Sequence, residues 1–127
     1  MSFDWGEYLS LAEELQGIPV SGPPVGAEAR QRASVSRAYY AAYILARNHL
    51  RDTDRVHIPR GQNPHQFVAA HYANHPDPVR AQIGQELARL RTQRNICDYN
   101  DTVVNLLNLA ALSVARSGQI IADLARL

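Results

Sequence analysis

Residues 83–100 have the sequence IGQELARLRTQRNICDYN and lie at the end of a long helical pattern. Ile83, Leu87, Leu90, Arg94 and Cys97 recur at i, i+4, i+7, i+11 and i+14, which places them on one face of an α-helix. Four of these side chains are apolar, so we expect the face to pack into the protein core. The arginine is the exception, because a buried charge costs free energy unless it is paired or faces a cleft.

Polar side chains surround this arginine where the predicted helix ends. Asp98 follows Arg94 by four residues and Arg91 precedes it by three, so both lie within reach along the helix. Asn95 and Tyr99 complete the group. One interpretation is a structural ion pair between Arg94 and Asp98, covered by Tyr99. The other is a site that binds phosphate or RNA, since a guanidinium group pairs well with phosphate oxygens.

Helical periodicity extends over the rest of the chain. No segment alternates apolar and polar residues as a strand does, and loops rich in proline and glycine separate the helical patterns. The predicted helices lie near residues 4–15, 27–51, 64–74, 79–98 and 102–125. Because their connections are short, neighbouring helices are expected to run antiparallel. The sequence therefore predicts one all-α domain, residues 1–127, folded as an antiparallel bundle of four to five helices.

Two details of this prediction concern the ends and faces of the helices. Asn63-Pro64 is a favourable helix start, and Asn100-Asp101 is predicted to cap the fifth helix. The buried face of the fifth helix is expected to consist of Val103, Leu106, Leu107, Ala110, Val114 and Ile121.

Charge and cysteine content narrow the function classes. The net charge is +1, so nothing global indicates nucleic acid or a membrane, although all thirteen basic residues are arginines. A single cysteine, Cys97, excludes an internal disulfide and is expected to be a small core residue. His65 and His71 do not share a helix face, so we predict no metal site and no cofactor. The chain shows neither a signal pattern nor a long apolar run, which favours a cytoplasmic protein without membrane contact.

A second motif lies in the predicted second helix. The sequence there contains Ser36-x-x-Tyr39-Tyr40-Ala41-Ala42, and the end of the fourth helix contains Arg94-x-x-x-Asp98-Tyr99. In this order and at this separation the two motifs resemble the HEPN superfamily, in particular its small prokaryotic members.

That resemblance implies a helical bundle that forms a homodimer, with a conserved arginine facing the cleft between protomers. Many such proteins are metal-independent ribonucleases, often toxins that are paired with a nucleotidyltransferase antitoxin. Others only bind nucleotides or RNA.

One departure from the family pattern concerns the chemistry of cleavage. The active pattern is an arginine, a polar residue, three further positions and then a histidine, and Tyr99 occupies the histidine position here. Cleaving RNA without a metal requires proton transfer at neutral pH, and a tyrosine with a pKa of about 10 is a poor base there. We therefore predict weak or absent ribonuclease activity.

The candidate site combines residues of both motifs. We predict Arg94 and Tyr99 as catalytic candidates, with RNA or nucleotide bound by Arg91, Asn95, Asp98 and Tyr40. Whether His65, at the start of the third predicted helix, approaches this site cannot be read from the sequence.

The alternative hypothesis is a protein of a different class. It is a non-catalytic helical dimerisation or adaptor module that binds a nucleotidyltransferase partner. In either case we expect a homodimer whose interface involves the fourth helix and brings two Arg94 side chains toward one cleft. The surroundings of Arg94 distinguish the two hypotheses. A guanidinium that is paired with Asp98 and buried inside one chain favours the adaptor, whereas one that points into a cleft with Arg91 and Asn95 favours nucleic-acid binding.

Overall fold

Five α-helices and one short π-helical turn form the part of the chain that the computed structural model describes, residues 2–127. There is no strand among these residues, so the prediction of an all-α fold is confirmed. The elements are α1 (Gly6–Gln16), α2 (Ala27–Asn48) with its π-helical extension (His49–Thr53), α3 (Pro64–Ala73), α4 (Pro78–Tyr99) and α5 (Leu106–Ala125).

The predicted start of the fifth helix is wrong by several residues. α5 begins at Leu106, after Asn105 in the left-handed conformation with φ of 54°, and Asn100-Asp101 does not cap it. The reason is that this dipeptide has other partners. The Asp101 carboxylate accepts a hydrogen bond from the Trp5 indole, and the Asp101 carbonyl accepts one from the backbone N–H of Phe3.

α4 runs antiparallel to the helices that pack against it. Near the start of α2, Arg32 donates to the carbonyl of Cys97 at the end of α4, whereas Arg80 near the start of α4 pairs with Asp54 just after α2. α5 also contacts α4. Ser113 on α5 donates to Gln93, and Arg116 pairs with Glu86. The order of these contacts along the two helices shows that α5 also runs opposite to α4.

The predicted apolar face of α4 forms the centre of the core. Ile83, Leu87, Leu90 and Cys97 are buried, and Arg94 lies at the edge of this face with its side chain 14% exposed. Burying each large aliphatic side chain stabilises the fold by about 1.5–3 kcal/mol. The apolar spacing therefore identified the right face, including the position of its one charged residue.

The predicted buried face of α5 needs correction. Leu107 and Val114 are 68% and 51% exposed, whereas Ser113 and Ser117 are buried. The Ser117 hydroxyl donates to the carbonyl of Ala38 on α2, so the buried serine is satisfied and the two helices approach closely. Hydrogen-bonded serines thus occupy part of the buried face of α5, where the periodicity predicted larger apolar residues.

Arg32 is a fully buried arginine that no sequence pattern singled out. Its guanidinium donates to the carbonyls of Cys97, Asn100 and Asp101, and its Nε–H donates to the carboxylate of Glu28. Its Cζ atom also lies 4.5 Å from the ring centroid of Phe3 and 4.9 Å from that of Trp5. This side chain therefore fastens the start of α2 and the N-terminal segment to the end of α4.

Candidate functional site

A cavity of about 460 Å³ lies between α2, α3 and α4. Its volume is within the range of sites that hold a small ligand. Polar lining residues come from all three helices and include Tyr43, His65, Gln66, Gln85, Arg91 and Asn95. No aspartate or glutamate of the described residues 2–127 lines the cavity, so its charge is that of an anion site.

Small residues create this space where α3 crosses α4. Ala69, Ala70 and Ala73 on α3 and Gly84 and Ala88 on α4 line the cavity with little volume. Gly84 makes the closest approach, because a Cβ at this position would lie 2.2 Å from the backbone N of Ala73. The close packing at Gly84 fixes α3, and with it the polar residues of its first turn.

His65 is held in this first turn by α2. Its Nδ1 is hydrogen-bonded to the Tyr39 hydroxyl at 2.5 Å, and its ring stacks on Tyr43 with 4.2 Å between ring centroids. The Asn63 side chain accepts a hydrogen bond from the His65 backbone N–H and caps α3. The Nε2 atom makes no hydrogen bond within residues 2–127, so it is the nitrogen available to a ligand.

Burial is the main cause that lowers the pKa of His65. The positive charges of Arg91 and then Arg94 lower it further. The ordinary histidine pKa is about 6.5, so the His65 imidazole is neutral at neutral pH. The Tyr39 phenol keeps its proton, because burial raises its pKa far above the usual value.

Arg91 is the arginine among the residues that line the cavity. It forms no ion pair with any residue between 2 and 127, and its Nε–H is enclosed by the protein without a hydrogen-bond acceptor. No carboxylate of these residues therefore neutralises its charge. A phosphate or carboxylate in the cavity would supply the missing counter-charge.

Arg94 lies beside the cavity and does not line it. Its Nε donates to Asp98 and its Nη1 donates to the side-chain oxygen of Asn95, each at 2.9 Å. Its Cζ is 5.2 Å from the ring centroid of Tyr40 and 5.8 Å from that of Tyr99. Since arginine offers only donors, the Asn95 oxygen must face Arg94, and the Asn95 amide N–H groups remain for the cavity.

The structure thus divides the predicted site into two adjoining parts. Arg91 and Asn95 line the cavity, whereas Arg94, Asp98 and Tyr40 form a cluster next to it. Tyr99 is at the end of α4 and is 70% exposed, outside the residues that line the cavity. Asn95 connects the two parts, because it contacts Arg94 and lines the cavity.

The two tyrosines and the histidine that line the cavity, Tyr39, Tyr43 and His65, were not among the predicted site residues. Tyr39 and Tyr43 belong to the tyrosine-rich stretch of α2, so the motif contained the signal although only Tyr40 was chosen. His65 carried no such signal, because its place in the cavity depends on the packing of α3 against α2 and α4.

Two kinds of site are absent from the described residues 2–127. No group of three or more histidine, cysteine, aspartate or glutamate side chains has the arrangement of a metal site. None of the helices combines the length and apolar character of a membrane span.

Comparison of the chain with protein-family models, with curated proteins and with solved structures finds no match.

Proposed function

We propose that this protein is a HEPN-like helical domain that binds RNA through its phosphate groups, with the cavity between α2, α3 and α4 as the phosphate site. The observation that carries the proposal is Arg91, which lines this cavity without an ion-pair partner, in a lining that contains no carboxylate. A guanidinium group without a carboxylate partner pairs well with the oxygens of a phosphate.

The neighbouring groups suit the rest of a nucleotide. The exposed ring of Tyr99 lies beside Arg94, whereas the buried ring of Tyr43 already stacks on Tyr39 and His65. Stacking of a base on an aromatic side chain contributes about 1–3 kcal/mol. The amide groups of Asn95 and Gln66 offer donors and acceptors to a ribose or a base edge.

Charge at the site favours an anion, but only modestly. Asp98 pairs with Arg94 at 2.9 Å and so neutralises one of the two arginines. The net positive charge is therefore that of Arg91, which predicts moderate affinity that falls as salt concentration rises.

The test is the affinity of the full chain for a short, labelled single-stranded RNA. Arg91→Ala should weaken binding by roughly ten- to a hundredfold, which corresponds to the ~1.5–3 kcal/mol of a hydrogen bond to a charged group. Arg89→Ala is the matched control, because Arg89 is two positions away on α4, exposed, and paired with Glu86. Equal effects of the two substitutions would contradict the assignment of the phosphate site.

The exposed apolar side chains of α5 favour a second candidate function, that of a dimerisation or adaptor module. Leu107, Leu112 and Val114 are exposed on this helix, whereas the exposed face of α4 carries polar residues such as Gln82 and Gln85. A homodimer, or a complex with a nucleotidyltransferase antitoxin, would cover the apolar surface. In sedimentation experiments Val114→Asp should then dissociate the assembly and Gln85→Asp should not.

A further inference from the structure

We propose that His65 is the proton-transfer group of an RNA-cleaving site in this cavity, with Arg91 on the scissile phosphate and Tyr39 positioning the imidazole. The inference rests on the proposed function, since it needs RNA phosphate at Arg91. It differs from the sequence-based expectation, which looked for the proton-transfer group on α4 at the position of Tyr99. The histidine here comes from α3.

The geometry fixes the imidazole and leaves one nitrogen free. The hydrogen bond between Nδ1 and the Tyr39 hydroxyl occupies this nitrogen, while stacking on Tyr43 sets the plane of the ring. Nε2 is therefore the only ring nitrogen that can act on a ligand. His65 and Arg91 line the same cavity, and Arg91 is the first of the charges that act on the pKa of His65, so the two side chains lie close together.

The surroundings of His65 keep the imidazole in its neutral form. α4 contributes two positive charges, Arg91 and Arg94, and no carboxylate is among the causes of the pKa shift. α2 contributes three phenol side chains, those of Tyr39 and Tyr43 in direct contact and that of Tyr40 close by. Because burial and both arginines lower the pKa of His65, the ring is a proton acceptor at neutral pH rather than an imidazolium.

The active tautomer follows from the role of Tyr39. A phenol can accept a hydrogen bond from Nδ1–H, and this places the lone pair on Nε2. Tyr39 itself also lines the cavity, so its own O–H can donate to the ligand while its oxygen accepts from His65. The pair thus resembles the way in which a second group orients a catalytic histidine elsewhere.

The reaction is a transesterification within the RNA. Nε2 of His65 takes the proton of a ribose 2′-hydroxyl, and the 2′-oxygen forms a bond to the adjacent phosphorus. The bond from phosphorus to the 5′-oxygen breaks, and this oxygen takes a proton from water. His65 then returns its proton to the solvent. Arg91 and the amide N–H of Asn95 stabilise the charge on the non-bridging oxygens, and the products are a 2′,3′-cyclic phosphate and a 5′-hydroxyl.

The test is cleavage of a short single-stranded RNA by the full chain in the presence of EDTA. The wild-type chain should release 2′,3′-cyclic phosphate ends, and an RNA with a 2′-deoxy sugar at the scissile position should not be cut there. His65→Gln should lower the cleavage rate by roughly 100-fold or more, the usual contribution of a general base. His71→Gln, on the same helix but outside the residues that line the cavity, should leave the rate unchanged.

Measurements of RNA affinity distinguish a failure of proton transfer by His65 from a failure of RNA binding at Arg91. His65→Gln should retain the affinity for RNA, which also shows that the variant is folded. RNA binding that depends on Arg91 without any cleavage by the wild-type chain would overturn the role of His65 alone. Cleavage that is insensitive to His65→Gln would do the same. Loss of the Arg91 dependence of binding would instead overturn the proposed function.

The pH dependence of the cleavage rate distinguishes proton transfer by His65 from a purely structural role of this residue. The rate should rise with pH through the pKa of His65 and then remain constant, because the neutral form is active. Arg94→Gln removes one of the charges that lower this pKa, so the rising limb should move to higher pH. A limb that does not shift would contradict proton transfer by His65.

Discussion

Arg32 and Arg91 are both poorly accessible arginines, but their surroundings differ. Arg32 is enclosed, and its donors are satisfied by backbone carbonyls and one carboxylate. Arg91 lines a cavity and has no carboxylate partner among residues 2–127. A positive charge without a counter-ion at a cavity is an argument for an anionic ligand.

Replacing Arg32 should destabilise the protein strongly. Arg32→Ala removes the donor to the carbonyls of Cys97 and Asn100 and the packing against Phe3 and Trp5. We expect the free energy of unfolding to fall by roughly 1–3 kcal/mol for each buried carbonyl that loses its donor. Urea denaturation measures this quantity directly.

Arg30→Ala is the control for that prediction. Arg30 lies two positions away on α2, and its exposed ion pair with Glu14 should contribute less than about 1 kcal/mol. Similar losses for Arg30→Ala and Arg32→Ala would show that the buried network is not the cause.

The neutral state of His65 also predicts a pH dependence of stability. The pKa of His65 is lower in the folded protein than in the unfolded chain, so the unfolded chain binds more protons. This contribution to stability is therefore complete above the unfolded pKa of about 6.5 and is lost as the pH falls from there through the lower folded pKa. His65→Gln should flatten the decline in thermal melting temperature between neutral and acidic pH. An unchanged decline would mean that other groups control it.

At the scale of the helices, the contact between α3 and α4 shapes the cavity. Gly84 lets the two backbones approach, since a Cβ there would meet the Ala73 nitrogen at 2.2 Å and the Ala69 oxygen at 2.5 Å. Both are backbone atoms, so no side-chain rotation can relieve the collision.

Gly84→Ala should therefore destabilise the protein and disturb the cavity together. Overpacking of this kind typically costs about 1–3 kcal/mol, even though alanine is the better helix former. Gly118→Ala on α5 is the matched control, because no neighbouring group lies within 4 Å of the position that its methyl group would occupy, and it should stabilise by about 0.5–1 kcal/mol. Denaturant unfolding of both variants checks the opposite signs.

The helices also show what local sequence could and could not reveal. The face of α4 followed from apolar spacing, since Ile83, Leu87 and Leu90 are the large apolar side chains between residues 83 and 91, and all three are buried. The face of α5 did not, because Ser117 is buried through a hydrogen bond to Ala38, a partner that is distant in sequence. Periodicity detects apolar burial and misses polar burial that tertiary contacts satisfy.

For the whole molecule, the all-α class and the five helical segments were predictable from periodicity and loop residues. The predicted site residues divide between the cavity and the cluster beside it. Arg91 and Asn95 are on the same helix as Arg94, and helical spacing was enough to group them. His65 joins them through the packing of three helices, which no spacing along the chain encodes.

The central claim is that RNA phosphate binds at Arg91 beside His65, and the most direct measurement is an NMR titration of the full chain with a short single-stranded RNA. We predict that the resonances of the Arg91 Nε–H and of the His65 ring shift as RNA is added, and that both shifts saturate at the same RNA concentration. The resonances of Arg89 and His71 should remain in place. Saturable shifts confined to α5 or α1, with Arg91 and His65 unmoved, would contradict it.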